Sequence, residues 1–416
     1  MGRFLSATLG AACLAGLLVL PGLVRAQTQE QGGVRLTFGI EQGLAWRDNP
    51  DLAIPASDSE TTSRTRLRFG LVSETRIQRL AFEAEGILLA GSKTDNGLVS
   101  PSAMLSYRLE SAATALELEA FLRDSDVDTL EFISGSDDLG APIITSVTGS
   151  GTRRQTGATA LVEFGRDAPF GGSFSLGRTD TDYVDTTDAS LIDSRRTTAR
   201  LALRFDLTEV TSATATLSAT RLEEVGSPRE NSESLTLGLT QSLPDGAYTA
   251  SLTIGRNQDG TRTSLSFGRS LDLSAGQLSA SLGLSRPVNG KTQGIAALDW
   301  RQDLVSGTFR LGLARNVTGN DRDEETRVSR LTLSYAQELT PTLGLNLSVG
   351  LQDSRETLTG LSTRTANLSA SLRQELTEDW GLNLGATHRI KDTDGTGRAS
   401  SNSVFLTIRR DFEFRP

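Results

Sequence analysis

The sequence predicts an all-β fold: a single transmembrane, antiparallel, up-and-down β-barrel of about 20 strands, within 18–22. Three observations carry that prediction. Apolar and polar residues alternate with period two from residue 34 to the C-terminus. The connections between alternating segments are short and long by turns. The chain also opens on a secretion signal.

Arg3 supplies a positive start, residues 4–20 are almost wholly apolar, and Val24-Arg25-Ala26 gives a small-residue cleavage site. Residues 1–26 are therefore expected to be a cleaved signal peptide, 27–33 a short periplasmic lead, and 34–416 the barrel. Lipoprotein processing at Cys13 is not expected. Gly10-Ala11-Ala12 lacks the aliphatic residue it needs, and Leu14 to Leu20 would follow the lipid. Cys13 is the one cysteine, so the mature chain has no disulfide, thiolate metal ligand or thiol nucleophile.

Composition narrows the class further. Hydrophobic residues make up 37% of the chain, low for a globule of this length. No apolar run after the signal is long enough for a transmembrane helix. Net charge is −9 without a basic stretch, which argues against nucleic acid as a partner. No cofactor or metal is expected.

The first strand shows the pattern. Val34, Leu36, Phe38, Ile40, Leu44 and Trp46 are apolar, with Arg35, Thr37, Gly39, Glu41 and Arg47 between them. One parity suits lipid and the other a wet interior. Strands are predicted at 34–48, 61–74, 76–91, 98–110, 114–124, 152–165, 170–183, 194–207, 211–224 and 232–243. The series continues at 247–258, 262–272, 277–287, 292–304, 307–317, 325–339, 343–354, 362–376, 380–392 and 401–414.

Short connections such as Glu74-Thr75, Pro244-Asp245-Gly246 and Val305-Ser306 alternate with long ones, 125–151 being the longest. Outer-membrane barrels place short turns in the periplasm and long loops outside, so an even count puts both termini in the periplasm. A triplet recurs at hairpin spacing before the short turns: Gln241-Ser242-Leu243, Arg269-Ser270-Leu271, Gln302-Asp303-Leu304, Gln337-Glu338-Leu339 and Gln374-Glu375-Leu376.

Two sets of candidate residues follow from parity. On the lipid-facing parity, arginine recurs at the external strand ends: Arg154, Arg178, Arg195, Arg221, Arg256, Arg286, Arg315, Arg327 and Arg364, with His388 at the matching place. An outward arginine at the bilayer midplane costs about 2–4 kcal/mol, so these belong at the rim. Guanidinium forks there suit the phosphates of outer-leaflet glycolipid, lipopolysaccharide being the expected lipid partner. On the inward parity, Arg64, Arg66, Arg68, Glu83, Glu85, Glu117 and Glu119 are expected to line a pore, while later strands carry small hydroxyl and amide residues. The acidic connection 125–151 is a solvated surface loop, a hairpin extending strands five and six, or a segment folded inward, where its carboxylates would face the Arg64, Arg66, Arg68 row.

Trp46-Arg47-Asp48-Asn49-Pro50, at the end of the first strand, resembles the opening of the β-barrel porins of Gram-negative bacteria, some of them linked to exopolysaccharide systems. The resemblance implies an outer-membrane channel inserted by the barrel-assembly machinery. Phe412 and Phe414 suit that machinery's aromatic end signal, although Arg415-Pro416 follow. The leading function is passive diffusion of small hydrophilic solutes through a lumen lined by hydroxyls and charges. The alternatives are a structural or export barrel of an exopolysaccharide system, and a barrel hydrolase. The last needs a histidine beside a nucleophile. His388 is the sole histidine, and no carboxylate is expected on its face.

Overall fold

The computed structural model describes residues 32–91, 97–126, 131–136, 142–146, 151–186, 191–258, 260–288, 291–319, 325–356 and 360–415. The expected signal peptide, 1–26, and all but the end of the lead lie outside the described residues.

The strands are β1 (Gly33–Arg47), β2 (Glu60–Glu74), β3 (Gln78–Gly91), β4 (Gly97–Glu110), β5 (Thr114–Asp126), β6 (Glu131–Ser136), β7 (Pro142–Ser146), β8 (Thr152–Phe164), β9 (Phe170–Val184), β10 (Ser194–Asp206) and β11 (Thr211–Glu224). They continue as β12 (Glu230–Leu243), β13 (Gly246–Arg256), β14 (Thr261–Leu273), β15 (Gly276–Arg286), β16 (Gln293–Leu304), β17 (Gly307–Gly319), β18 (Glu325–Thr340), β19 (Leu343–Glu356), β20 (Ser362–Glu375), β21 (Trp380–Thr393) and β22 (Gly397–Phe414). Twenty of them form one antiparallel sheet. β1 pairs with β2 on one side and β22 on the other, so the sheet closes and leaves no free edge. The predicted strands match these twenty, β22 starting earlier because a tight turn at Thr393–Thr396 lets the last hairpin run further out.

The long connection between β5 and β8 does not extend those strands outward. It forms its own hairpin, β6–β7, and β7 comes within 8 Å, Cα to Cα, of β17. β17 lies ten strands round the sheet from β5, so the hairpin reaches across the barrel.

Curvature separates the two parities. Side chains on the concave face converge, and Thr62, Ser285 and Ser401 are 2%, 3% and 1% exposed. Those on the convex face diverge, and Phe267, Leu282 and Leu284 are 61%, 70% and 58% exposed. The convex face carries the apolar set, as a lipid-facing surface requires.

The triplet repeat has a structural role. Its middle residue donates its backbone N–H to the carbonyl of the preceding short turn: Ser242 to Val210, Asp303 to Ala275, Glu338 to Ser306 and Glu375 to Thr342, all at 2.7–2.8 Å. In the second triplet the bond moves two residues on, from Asp272 to Asp245. These bonds stitch successive turns together along this part of the rim, from residues 208–210 to residues 376–379.

Aromatic residues gather on the outer face at the same turn end. Phe170 packs against Phe205 (5.1 Å between ring centres), Trp300 edge-on against Phe309 (5.3 Å), and Phe38 against Phe412 across the β1–β22 seam (6.1 Å). The Arg410 guanidinium lies over Trp380 and Phe412. Eight residues separate Tyr248 from Arg256, Phe170 from Arg178 and Trp380 from His388. At about 3.4 Å per residue that is about 27 Å along a tilted strand, close to the thickness of an outer-membrane apolar band. The barrel thus has aromatics at its turn end and charges at its loop end.

Candidate functional site

The register puts all seven predicted pore residues on the concave face, on β2, β3 and β5. Arg68 lies opposite Glu85, and Gly70 opposite Glu83. Glu117 and Glu119 lie opposite Arg108 and Ser106.

The arginine row is already largely neutralised, by residues that parity alone did not single out as a group. Arg66 meets Glu85 at 3.2 Å and Glu41 at 3.5 Å. Arg68 meets Glu41 at 3.7 Å and Asp411 at 3.9 Å. Arg409 then joins Asp411 to Glu375, and Glu375 binds Arg373 at 2.7 Å. The result is a chain of alternating charge from β3 to β20 that crosses the closing seam. Glu117 pairs with Arg108 at 3.5 Å. Arg64 is different: no carboxylate is in contact with it among the described residues.

Further round the wall the concave face turns to hydroxyls. Ser251 faces Ser266 at 2.7 Å, Ser348 faces Ser369 at 2.6 Å, and Thr236 faces Thr253 at 3.1 Å. Two inward aromatics lie flat against the wall, each over a glycine. A Cβ on Gly157 would sit 2.6 Å from the Phe121 ring, and one on Gly385 would collide with Phe405. Glycine is required at both places by close approach rather than by its φ angle.

The nine rim arginines all face outward at the loop end, and acids accompany several of them. Arg154 binds Asp124 (2.8 Å), Arg178 and Arg195 share Asp180 (2.9 and 2.6 Å), and Arg364 binds Asp353 (3.2 Å). Arg221 bonds Asn231 instead. Arg256, Arg286, Arg315 and Arg327 have no carboxylate in contact among the described residues. The basic ring is thus a belt of mixed charge with four unpaired cations. The signal that finds these acids is cross-strand: Asp124, Asp180 and Asp353 share the arginines' parity but face them from neighbouring strands.

The Trp46–Pro50 motif folds back over the seam. Asn49 is 4% exposed and adopts φ 39°, a conformation asparagine tolerates well. Its Oδ1 accepts from the N–H groups of Ala53 and Ser57 and from the Ser57 hydroxyl, while Nδ2 donates to the carbonyls of Ala53 and Ser400. Asp48 accepts from the Asn402 amide at 2.8 Å and from the Asn402 N–H. Arg389 donates to the Pro50 carbonyl. The first long connection is thereby clasped to the last hairpin.

His388 belongs to this clasp, and the expectation that no carboxylate shares its surroundings is corrected. Its Nδ1 donates to Asn402 Oδ1 at 2.7 Å, and Asn402 passes the contact on to Asp48. Asp48 reaches Asn402 only because β1 closes the sheet against β22, which is why the sequence did not reveal the contact. No serine or threonine hydroxyl is in hydrogen-bond reach of His388 among the described residues.

No protein-family model matches the sequence, and no curated protein matches it either. The fold, by contrast, is shared. The siderophore receptor PirA from Acinetobacter baumannii is similar at 8% identity with a TM-score of 0.57, over 92% of this chain and 81% of that one. A mutant of the ferric enterobactin receptor PfeA from Pseudomonas aeruginosa is similar at 11% identity and TM-score 0.55, with the same coverage. OccK1 (OpdK) from Pseudomonas aeruginosa is matched at 13% identity and TM-score 0.46, over 92% of this chain and 99% of that one. The chain has the fold of outer-membrane β-barrels. Its closed sheet satisfies every strand edge, and its convex face is apolar, as a bilayer demands of a spanning sheet.

Proposed function

We propose that the barrel is a porin-like channel through which small hydrophilic solutes diffuse passively, with the turn end in the periplasm and the long connections outside. The observation that carries this reading is the composition of the concave face. On β11–β15, β19 and β20 it presents serine, threonine and asparagine, which hydrate well and leave space beside the wall. Sheets of this strand number enclose a space that side chains cannot fill. Turnover chemistry is not part of the proposal, since His388 is committed to the clasp. Liposomes carrying the refolded barrel should swell in isotonic solutions of small neutral sugars. Liposomes that stay impermeable would refute the channel.

The membrane partner fits the belt. An apolar groove of about 810 Å³ on the outer face is lined by Leu282, Leu298, Leu313 and Leu331, together with Arg315 and Arg364. Acyl chains in the groove and lipid phosphate on Arg315 would hold outer-leaflet glycolipid there. Replacing Arg256, Arg286, Arg315 and Arg327 together by glutamine should lower the glycolipid that copurifies with the barrel. Unchanged retention would remove this part of the proposal.

A structural or export role in an exopolysaccharide system draws on the Trp46–Pro50 motif. That motif clasps the seam, a need common to barrels of any function, whereas the wall chemistry supports the channel reading.

A further inference from the structure

Charges on the concave face are unevenly matched. Glu41, Glu85, Glu375 and Asp411 each contact an arginine. Arg47, Arg64, Arg123, Arg196, Arg200 and Arg310 have no carboxylate in contact among the described residues. Arg200, for example, stands between Ser175 and Ser218 on its neighbouring strands. Glu83, Glu119 and Asp299 on the same face also have no cation in contact among the described residues, so the positive surplus is local, and it is beside the seam that unmatched cations stand together.

Two of these cations meet at a cavity. It measures about 170 Å³ and lies against the seam, above the ion-pair chain toward the loop end. Arg47, Arg64 and Arg66 line it, with Glu41, Phe405 and Ile87. Glu41 and Glu85 already hold Arg66. Glu60 attracts Arg47 and Arg64 without lying within ion-pair distance of either, while Arg389 repels Arg47. Each guanidinium therefore has donors to spare. Phe405 and Ile87 give the same cavity an apolar side.

We infer that this cavity is a subsite for a small organic monocarboxylate, and that the channel prefers anions of this class over cations. Arg47 and Arg64 take the carboxylate through their N–H forks, and a short apolar tail lies against Phe405 and Ile87. Glu41 in the lining disfavours a second negative charge, which sets a monoanion apart from a dianion. This inference rests on the channel reading for transport, although binding at the subsite does not require conduction.

The test uses the refolded full barrel and two readouts. In a planar bilayer under a KCl gradient, the reversal potential should show chloride permeating better than potassium. Arg47→Gln with Arg64→Gln should lower that ratio several-fold. Millimolar butyrate should reduce the chloride current of the parent barrel, butyramide should not, and the double variant should be insensitive to both. Saturation-transfer NMR on the detergent-solubilised barrel should show butyrate binding that the double variant loses. Should the double variant not fold, Arg64→Gln alone serves for both readouts. A cation-preferring pore, or butyrate binding unchanged by the substitutions, overturns the inference. Arginine-dependent butyrate binding without conductance would instead refute the channel and leave the subsite standing.

Discussion

Arg409 reaches past β21 to Glu375, and the two side chains meet at 3.3 Å on the concave wall. Both are about one-third exposed (31% and 36%), so water screens the pair. An exposed pair contributes about 0.2–1 kcal/mol. Its importance lies in position, because the chain it belongs to bridges strands on both sides of the β1–β22 seam. A double-mutant cycle of Arg409→Gln and Glu375→Gln should give a coupling of about 0.5 kcal/mol at low salt, smaller at high salt. Heat-induced loss of the fast-migrating barrel on a gel would report it. Strictly additive effects at low salt would show that the pair contributes nothing to the chain of charges beside the seam.

Asn49 has a larger predicted effect. It is buried and makes five hydrogen bonds that alanine cannot replace. Asn49→Ala should cost about 1–3 kcal/mol and free the connection after β1. Limited proteolysis within residues 50–59 should then become fast while the strands stay protected. An uncut connection would mean that Asp48 and Arg389 hold it unaided.

Acid should loosen the same clasp. The Asn402 side-chain amide and backbone N–H, both donating to Asp48, hold its carboxyl below the usual carboxylate range, and His388 adds to this. The folded value thus lies below the unfolded one. The contribution is fully present above the ordinary carboxylate range and is lost as pH falls through the folded value. Protease access to residues 50–59 should accordingly rise on acidification below the ordinary range, and Asp48→Asn should remove that dependence. A pH response unchanged in Asp48→Asn would assign it elsewhere.

The β6–β7 hairpin comes within 8 Å of β17, Cα to Cα, so in the proposed channel it would stand in the path of solute. Deleting residues 131–146 should raise single-channel conductance without altering the barrel's gel mobility shift. Equal conductance before and after deletion would place the hairpin clear of the permeation path.

Much of this was legible in the sequence, for a physical reason. Strand parity is a local property, so alternation such as Val34 to Trp46 fixes each strand and its lipid face. Hairpin neighbours follow from adjacency, which is how the turn triplets could be found before their hydrogen bonds were known. The seam was not legible. Glu41 meets Arg66 one strand away, but Arg68 meets Asp411 only because β1 also pairs with β22, at the far end of the chain. The clasp was hidden for the same reason: Asp48 and Asn49 find Asn402 and Ser400 only after closure. The mixed belt was hidden because the arginines were read along strands, whereas Asp124, Asp180 and Asp353 meet them across strands.

The channel reading stands or falls on single-channel recording of the refolded barrel in a planar bilayer. Stable conductance steps are expected, their size and ion preference changing when Arg64 is replaced by glutamine. A properly folded barrel that inserts and gives no steps would contradict it.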